Sequence, residues 1–356
     1  MNSGRAFRED LPPRGGVHIV IAGEDAVPWR DFVSRFPDAE IGHRWEYLDL
    51  LGDVFGHGPL RLVAKRGERW VGILPLVVQK SFLGRFVTSV PYLNYAGVLA
   101  SDPEARAGLA EEAMEQARRL GADRLELRGR EGGDLPIDAW RGKCSYALAL
   151  DGGTEVLQRG LGAKLRAQIK RPLKEGYAAR VDGPGGYGLF YPLLVRKWHE
   201  LGSPVLPRAF FERLGAVFGD DVSYSIVEKN GQPVAAGALL RSGERVEIPW
   251  AASLREHDRF GVNMLVYWTA LEFAVARGAR VFDFGRSTPG TGNARFKLQW
   301  GASESALVWN VFARGRSGRS VEKGDERRSV AAAVWRRLPR SLTSRLGPFL
   351  AARIPY

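Results

Sequence analysis

The sequence of 356 residues holds one cysteine, Cys144, which excludes a disulfide framework and any cysteine metal cage. Its five histidines (His18, His43, His57, His199 and His257) are scattered, with no H-x-x-x-H pair, so a zinc enzyme is not expected. No apolar run approaches the ~20 residues that a membrane span requires. Residues 1–16 are polar and rich in Pro and Gly, without the apolar stretch of a signal peptide. A reduced, cytoplasmic setting is the expectation. A Gly-x-Ser-x-Gly elbow is absent, which disfavours a serine hydrolase. An Asp-Phe-Gly triplet is present at 283–285, but no glycine-rich loop or His-Arg-Asp loop accompanies it, so a kinase is excluded.

What is present is a globular composition: 45% hydrophobic and 26% charged residues, over a length suited to two domains. The formal net charge is +12, unevenly spread. Residues 313–356 carry ten Arg and one Lys against three acids, a net +8 that leaves only +4 for the rest. A body so nearly neutral is no DNA-coating surface, and DNA is not expected as a partner.

The order of elements is readable. Strands are predicted over 60–64, 70–79 and 95–100. Asp102-Pro103 then caps a helix whose apolar residues Leu109, Ala110, Ala113, Met114 and Ala117 recur at helical spacing, with Gly121 as its stop. A strand follows at 124–128. The back half repeats this order: strands over 222–228, 233–241 and 244–251, a helix apolar almost all round over 263–277, and a strand over 280–284. With an offset of 157, Glu115, Ala117, Gly121 and Ala122 fall on Glu272, Ala274, Gly278 and Ala279. A duplicated α/β unit is inferred. Between the halves, a basic helix is expected over 154–175, bent or ended by Pro172. The tail mixes Val334, Trp335, Leu338, Leu342, Leu346, Phe349 and Leu350 with arginines. Pro339 and Pro348 should divide it into short amphipathic helices, suited to an anionic membrane or to packing on the body.

Several stretches resemble the FemAB-related proteins associated with the PEP-CTERM/exosortase system, within the GNAT-type acyltransferases. They are Tyr92-Leu-Asn-Tyr95, Val246-Glu-Ile-Pro-Trp250, Asn263-Met-Leu with Tyr267-Trp268, Val281-Phe-Asp-Phe-Gly-Arg-Ser287 and Arg295-Phe-Lys-Leu-Gln-Trp-Gly301. The resemblance covers nearly the whole chain. It implies an α/β (α+β) fold of two tandem GNAT-like domains, each a twisted mixed sheet flanked by helices, at 1–152 and 153–312, followed by a basic helical tail at 313–356. It also implies an acyltransferase. The donor would be acyl-CoA or aminoacyl-tRNA as co-substrate, with no tightly bound cofactor and no metal. The acceptor would be an amine or hydroxyl of a cell-envelope or exopolysaccharide precursor, reached at the inner face of the cytoplasmic membrane. A non-catalytic scaffold that binds membrane or RNA through the basic tail is the alternative.

Acyl transfer needs a neutral nucleophile, a proton acceptor, a donor for the oxyanion and positioning. Asp283, at the end of a predicted core strand, is a candidate to orient the nucleophile or take its proton, or else a buried partner of Arg286. Arg286 offers a guanidinium fork to a phosphate or carboxylate, and Ser287 a hydroxyl. Trp250 and Tyr267 are candidates for an acyl or acceptor channel. In the Fem enzymes a lysine in the Phe-Lys-x-x-Trp-Gly motif faces the reaction site, which by resemblance selects Lys297; a solvated lysine on a strand is the plainer reading. Asn263 opens the buried helix whose N-terminus in GNAT enzymes holds the donor pyrophosphate. The usual R/Q-x-x-G-x-G/A loop is absent, since 255–263 has one glycine, Gly261; Arg255 remains a candidate phosphate contact. By resemblance Asn94 and Tyr95 help bind the acceptor. Lys164 and Lys170 of the basic helix could contact tRNA or a diphosphate-linked acceptor.

Overall fold

The computed structural model describes residues 16–130, 135–314 and 325–354, with side chains from 330 onward in the last stretch. The tail segment 315–324 and residues 1–15, on which the signal-peptide reading rests, lie outside the described residues. The first half runs β1 (His18–Ile21), α1 (Val27–Val33), α2 (Trp45–Phe55), β2 (Gly58–Arg66), β3 (Arg69–Ser81), β4 (Gly84–Thr88), β5 (Leu99–Ala100), α3 (Pro103–Arg119), β6 (Arg124–Arg128) and β7 (Ala139–Trp140). The second runs β8 (Cys144–Ala149), α4 (Gly153–Gly160), α5 (Ala163–Lys174), β9 (Tyr177–Asp182), α6 (Tyr187–Leu201), α7 (Arg208–Phe218), β10 (Val222–Lys229), β11 (Gln232–Ser242), β12 (Arg245–Ser253), α8 (Arg255–Asp258), α9 (Val262–Ala276), β13 (Val281–Ser287), α10 (Gly292–Leu298) and β14 (Ser303–Ala306). β15 (Trp309–Ala313), α11 (Asp325–Arg337) and α12 (Arg340–Ala351) close the chain.

Two mixed sheets result, in the orders β1-β2-β3-β4-β6-β15-β7, with β5 on β3, and β14-β8-β13-β12-β11-β10-β9. Each contains an antiparallel meander that ends in a parallel pair, β4 with β6 and β12 with β13. A helix connects the two strands of each parallel pair, as a parallel crossover demands. α9 is buried along most of its length, consistent with its nearly unbroken apolar sequence.

The sheets exchange strands across the linear division expected at 152/153 and 312/313. β8 lies before that first boundary yet pairs with β13, and β15 returns from the second half to pair with β6. One apolar core bridges the halves, joining Tyr47, Leu51 and Tyr92 to Phe190, Phe210 and Trp250. Each such fully buried aromatic contributes roughly 2–3 kcal/mol of transfer free energy.

Four local readings need correction. The strand expected over 95–100 is reduced to β5, because Ser89–Val98 leaves the sheet and runs across to the second half. Lys297 sits on α10, whose cap is Thr291 accepting from the Ala294 amide, and not on a strand. The basic helix is two helices, α4 and α5, and α5 ends two residues after Pro172. In the tail, Pro339 does break the helix, whereas Pro348 lies inside α12.

Candidate functional site

β12 and β13 pair only from Arg245–Glu247 with Val281–Asp283. Beyond that point β12 carries one residue more than β11 between the Glu247 and Trp250 pairings, a bulge centred on Ile248-Pro249. Pro249 donates no amide to a ladder, so the bulge is where it is tolerated. The two strands separate there, and a cleft of about 590 Å³ opens between them. Asn94, Trp250, Asn263, Tyr267, Arg286, Ser287 and Lys297, all singled out from the sequence, line it.

The cleft walls are aromatic and cationic. Tyr267 stacks on Phe284 at 5.7 Å and meets Phe296 edge-on at 4.9 Å. Trp250 is held edge-on by Phe210 and Phe211. Lys197, Arg286 and Lys297 line the cleft and no carboxylate does, among the described residues. Lys297 is 7% exposed, and its ammonium donates to the Gly285 and Arg286 carbonyls, both at 2.9 Å. Two of its three donors are used there, and the ammonium also lies 5.4 Å from the centre of the Tyr146 ring. Burial lowers the Lys297 pKa to about 8, against the opposing pull of Asp283 and Glu247, so at neutral pH it remains mostly a cation.

α9 starts at the cleft with Gly261 in the left-handed region (φ +84°) and no side-chain cap or acid in its first turn. Helix geometry leaves the first amides of α9 without intrahelical acceptors, at the positive end of its dipole. A Cβ on Gly261 would lie 2.9 Å from the Gln168 carbonyl, so α5 packs directly against this helix start.

Five of the sequence candidates lie elsewhere. Asp283 is fully buried behind the cleft. Its carboxylate accepts from Arg130 at 2.5 Å, from Arg245 at 3.4 Å and from the Gly285 amide at 2.7 Å. It is an anchor of the junction between the halves, and the position expected for a proton acceptor is closed off. Tyr95 is also buried; its hydroxyl bonds Ser145 at 2.9 Å and Arg130 stacks over its ring at 3.6 Å. Arg255 is exposed on the single turn α8. Lys164 is exposed on α5, and Lys170 lines an open groove with Arg166, Arg171 and Lys174.

Sequence reasoning missed Glu247, which faces Asp283 across the β12–β13 register and bonds the Asn94 amide. Burial, then the charges of Asp283 and Glu40, push its pKa up to about 8, against Arg130 and the Asn94 hydrogen bond. Glu247 is therefore largely protonated at neutral pH. Its one visible signal was a charge inside the apolar strand Val246-Glu247-Ile248. Gly285 separates this carboxyl from the cleft; it has φ +72°, and a Cβ there would lie 3.1 Å from the Asn94 amide nitrogen. Glu40 and Arg130 complete the buried network at 2.6 Å, and they come from distant segments that no local pattern joins.

A meander, a bulged strand splayed from its parallel neighbour and an uncapped helix start in the gap define the N-acyltransferase fold of the GNAT type. Residues 163–298 match the family model of the acetyltransferase (GNAT) domain. The whole chain has the tandem, FemAB-like form of that fold. FemX superposes with a TM-score of 0.61 at 14% identity, over 83% of this chain and 97% of FemX. A tandem GNAT protein from the clavulanic acid biosynthesis pathway gives 0.51 at 14% identity, over 85% of this chain and 99% of that one. The C-terminal domain of a putative lysylphosphatidylglycerol synthetase from Agrobacterium fabrum gives 0.50 at 15% identity, over 86% and 96%. No curated protein matches the sequence.

Proposed function

We propose that the protein transfers an acyl or aminoacyl group to an amine or hydroxyl of a cell-envelope or exopolysaccharide precursor, in the cleft between β12 and β13. The observation that carries this reading is the pairing, among the described residues, of an open, uncapped α9 start with three cations and no carboxylate in one cleft. That field suits a phosphate-bearing donor and the negative charge of a tetrahedral intermediate. The acceptor nitrogen or oxygen attacks the donor carbonyl carbon, and electrons move onto its oxygen. The third N–H of Lys297 is the donor available to that oxyanion. Collapse breaks the bond to the CoA sulfur or the tRNA ribose oxygen, and the proton lost by the acceptor passes to the leaving group or to water. With Asp283 and Glu247 both behind Gly285, no carboxylate among the described residues is placed to take that proton directly.

Two features favour aminoacyl-tRNA as the donor. The two-glycine phosphate loop of acyl-CoA enzymes is missing, and the basic groove of α5 adjoins the α9 start. One fold neighbour is described as a putative lysylphosphatidylglycerol synthetase, a name for a product in which an aminoacyl group is joined to a lipid. The test is a binding screen of acetyl-CoA, longer acyl-CoAs, and charged and uncharged tRNA at low and moderate salt. Preference for charged over uncharged tRNA supports the aminoacyl reading. Salt-resistant CoA binding replaces it with an acyl-CoA transferase. Binding only at low salt, blind to charging, is polyelectrolyte attraction and contradicts both.

A further inference from the structure

α11 and α12 each pack on α6. Thr343 of α12 hydrogen-bonds His199 at 3.0 Å, and the Ala351 carbonyl accepts from the Tyr92 hydroxyl at 3.3 Å. The opposite side of these helices is apolar and open: Val334 is 53% exposed, Leu342 41%, Leu346 40% and Phe349 51%. The β3–β4 turn adds Phe82 and Leu83, at 68% and 71%, the most exposed large apolar side chains among the described residues. The rings of Phe82 and Phe349 lie 6.4 Å apart, so turn and tail form one surface.

The charge of that surface is mostly positive, with the Asp123 carboxylate, which accepts from the Arg85 amide at 2.9 Å, as the acid at the turn. Residues 330–354 contain five arginines and no carboxylate, Lys80 and Arg85 flank the turn, and Arg353 lies over the Phe349 ring at 3.8 Å. A second copy of the same face would bring like charges together. Solvated nucleic acid would leave the apolar tips without a partner. Apolar tips within a cationic field match the interface of an anionic bilayer, where the rings enter the acyl boundary and the arginines meet phosphates.

We propose that the β3–β4 turn and the outer face of α11–α12 dock the protein on an anionic lipid surface. The inference is independent of the acyl-transfer reading. It also has a geometric consequence. α6 separates the docking face from the cleft, with His199 on one side and Lys197, Trp198 and Leu201 on the other. Docking therefore turns the α6 wall of the cleft towards the lipid side of the molecule.

The test is co-sedimentation of the full chain with vesicles of phosphatidylcholine alone or with about one-third phosphatidylglycerol. Binding is expected to the anionic vesicles only. The exposed double variant Phe82→Ser/Leu83→Ser and the variant Phe349→Ser should unfold at the wild-type temperature yet bind about tenfold more weakly. No binding to anionic vesicles would overturn the proposal. Binding that moderate salt abolishes and the apolar variants leave unchanged would also overturn it, as simple charge attraction. A wild-type dimer that the variants convert to monomer would overturn it by making the face a self-interface.

Discussion

The two halves start from the same plan and treat the equivalent gap in opposite ways. In the second half, β12 passes the gap with a single-residue bulge, and the strands beyond it stand open. In the first half, the counterpart of β12 is split into β4 and β5, and the ten residues Ser89–Val98 fill the interval. Ser89 and Ala96 donate to the Glu126 and Arg128 carbonyls, and Gly97 lies so near Gly129 that a Cβ would sit 2.7 Å from its Cα. The helix starts differ in the same sense. α3 is capped by Asp102, whose carboxylate accepts from the Ala105 amide at 2.8 Å, and Glu104 occupies its first turn. Its own carboxylates satisfy the dipole that α9 leaves for a ligand. The chain thus holds two gaps: Ser89–Val98 narrows the first to a pocket of about 350 Å³ and gives Tyr92 and Asn94 to the second.

That contrast can be broken at several points. The largest effect should follow Asp283→Ala, which leaves Arg130 and Arg245 facing an empty site between the halves. A loss of about 3–5 kcal/mol in unfolding free energy is expected, read by denaturant titration. Lys297→Ala should reduce turnover by about 100-fold or more while the fold survives, because it removes the cleft cation best placed for an oxyanion. Unchanged turnover would place the chemistry outside the second cleft.

Glu247→Gln sharpens the electrostatic side. The folded-state pKa of about 8 stands above the ordinary 4.5, so folded protein holds a proton that the unfolded chain loses. Stability from this group is full below about 4.5 and declines as pH rises towards 8. The variant should flatten the fall in melting temperature between those limits. The smallest effect should be Asp102→Ala, a loss of about 1 kcal/mol from an uncapped α3 with turnover intact.

The sequence made the second half more legible than the first for the same reason. Where a strand stays in its sheet, as β10 to β13 do, alternation and turn residues such as Asn230-Gly231 mark it. Ser89–Val98 is as apolar as a strand, but its partners lie in the other half, so its pattern reads as sheet and its path does not. The cleft followed in part: Trp250, Asn263, Tyr267, Arg286, Ser287 and Lys297 sit on β12, α9, β13 and α10, which local sequence places side by side. The two readings of Asp283 stay open in the sequence because alternation along β13 cannot tell a cleft-facing carboxylate from one aimed at Arg130, more than a hundred residues earlier. Glu40, Arg130 and Glu247 form one buried network only after the strands are exchanged between sheets.

The central claim is that the donor binds at the α9 start and not at its counterpart on α3. Calorimetric titration of acetyl-CoA and of charged tRNA into wild type, Asn263→Asp and Arg106→Ala tests it directly. A carboxylate in the first turn of α9 copies the closed state of α3, whereas Arg106 lines the first-half gap. The account predicts that Asn263→Asp weakens whichever donor binds by about tenfold or more and that Arg106→Ala leaves it unchanged. The reverse pattern would contradict it.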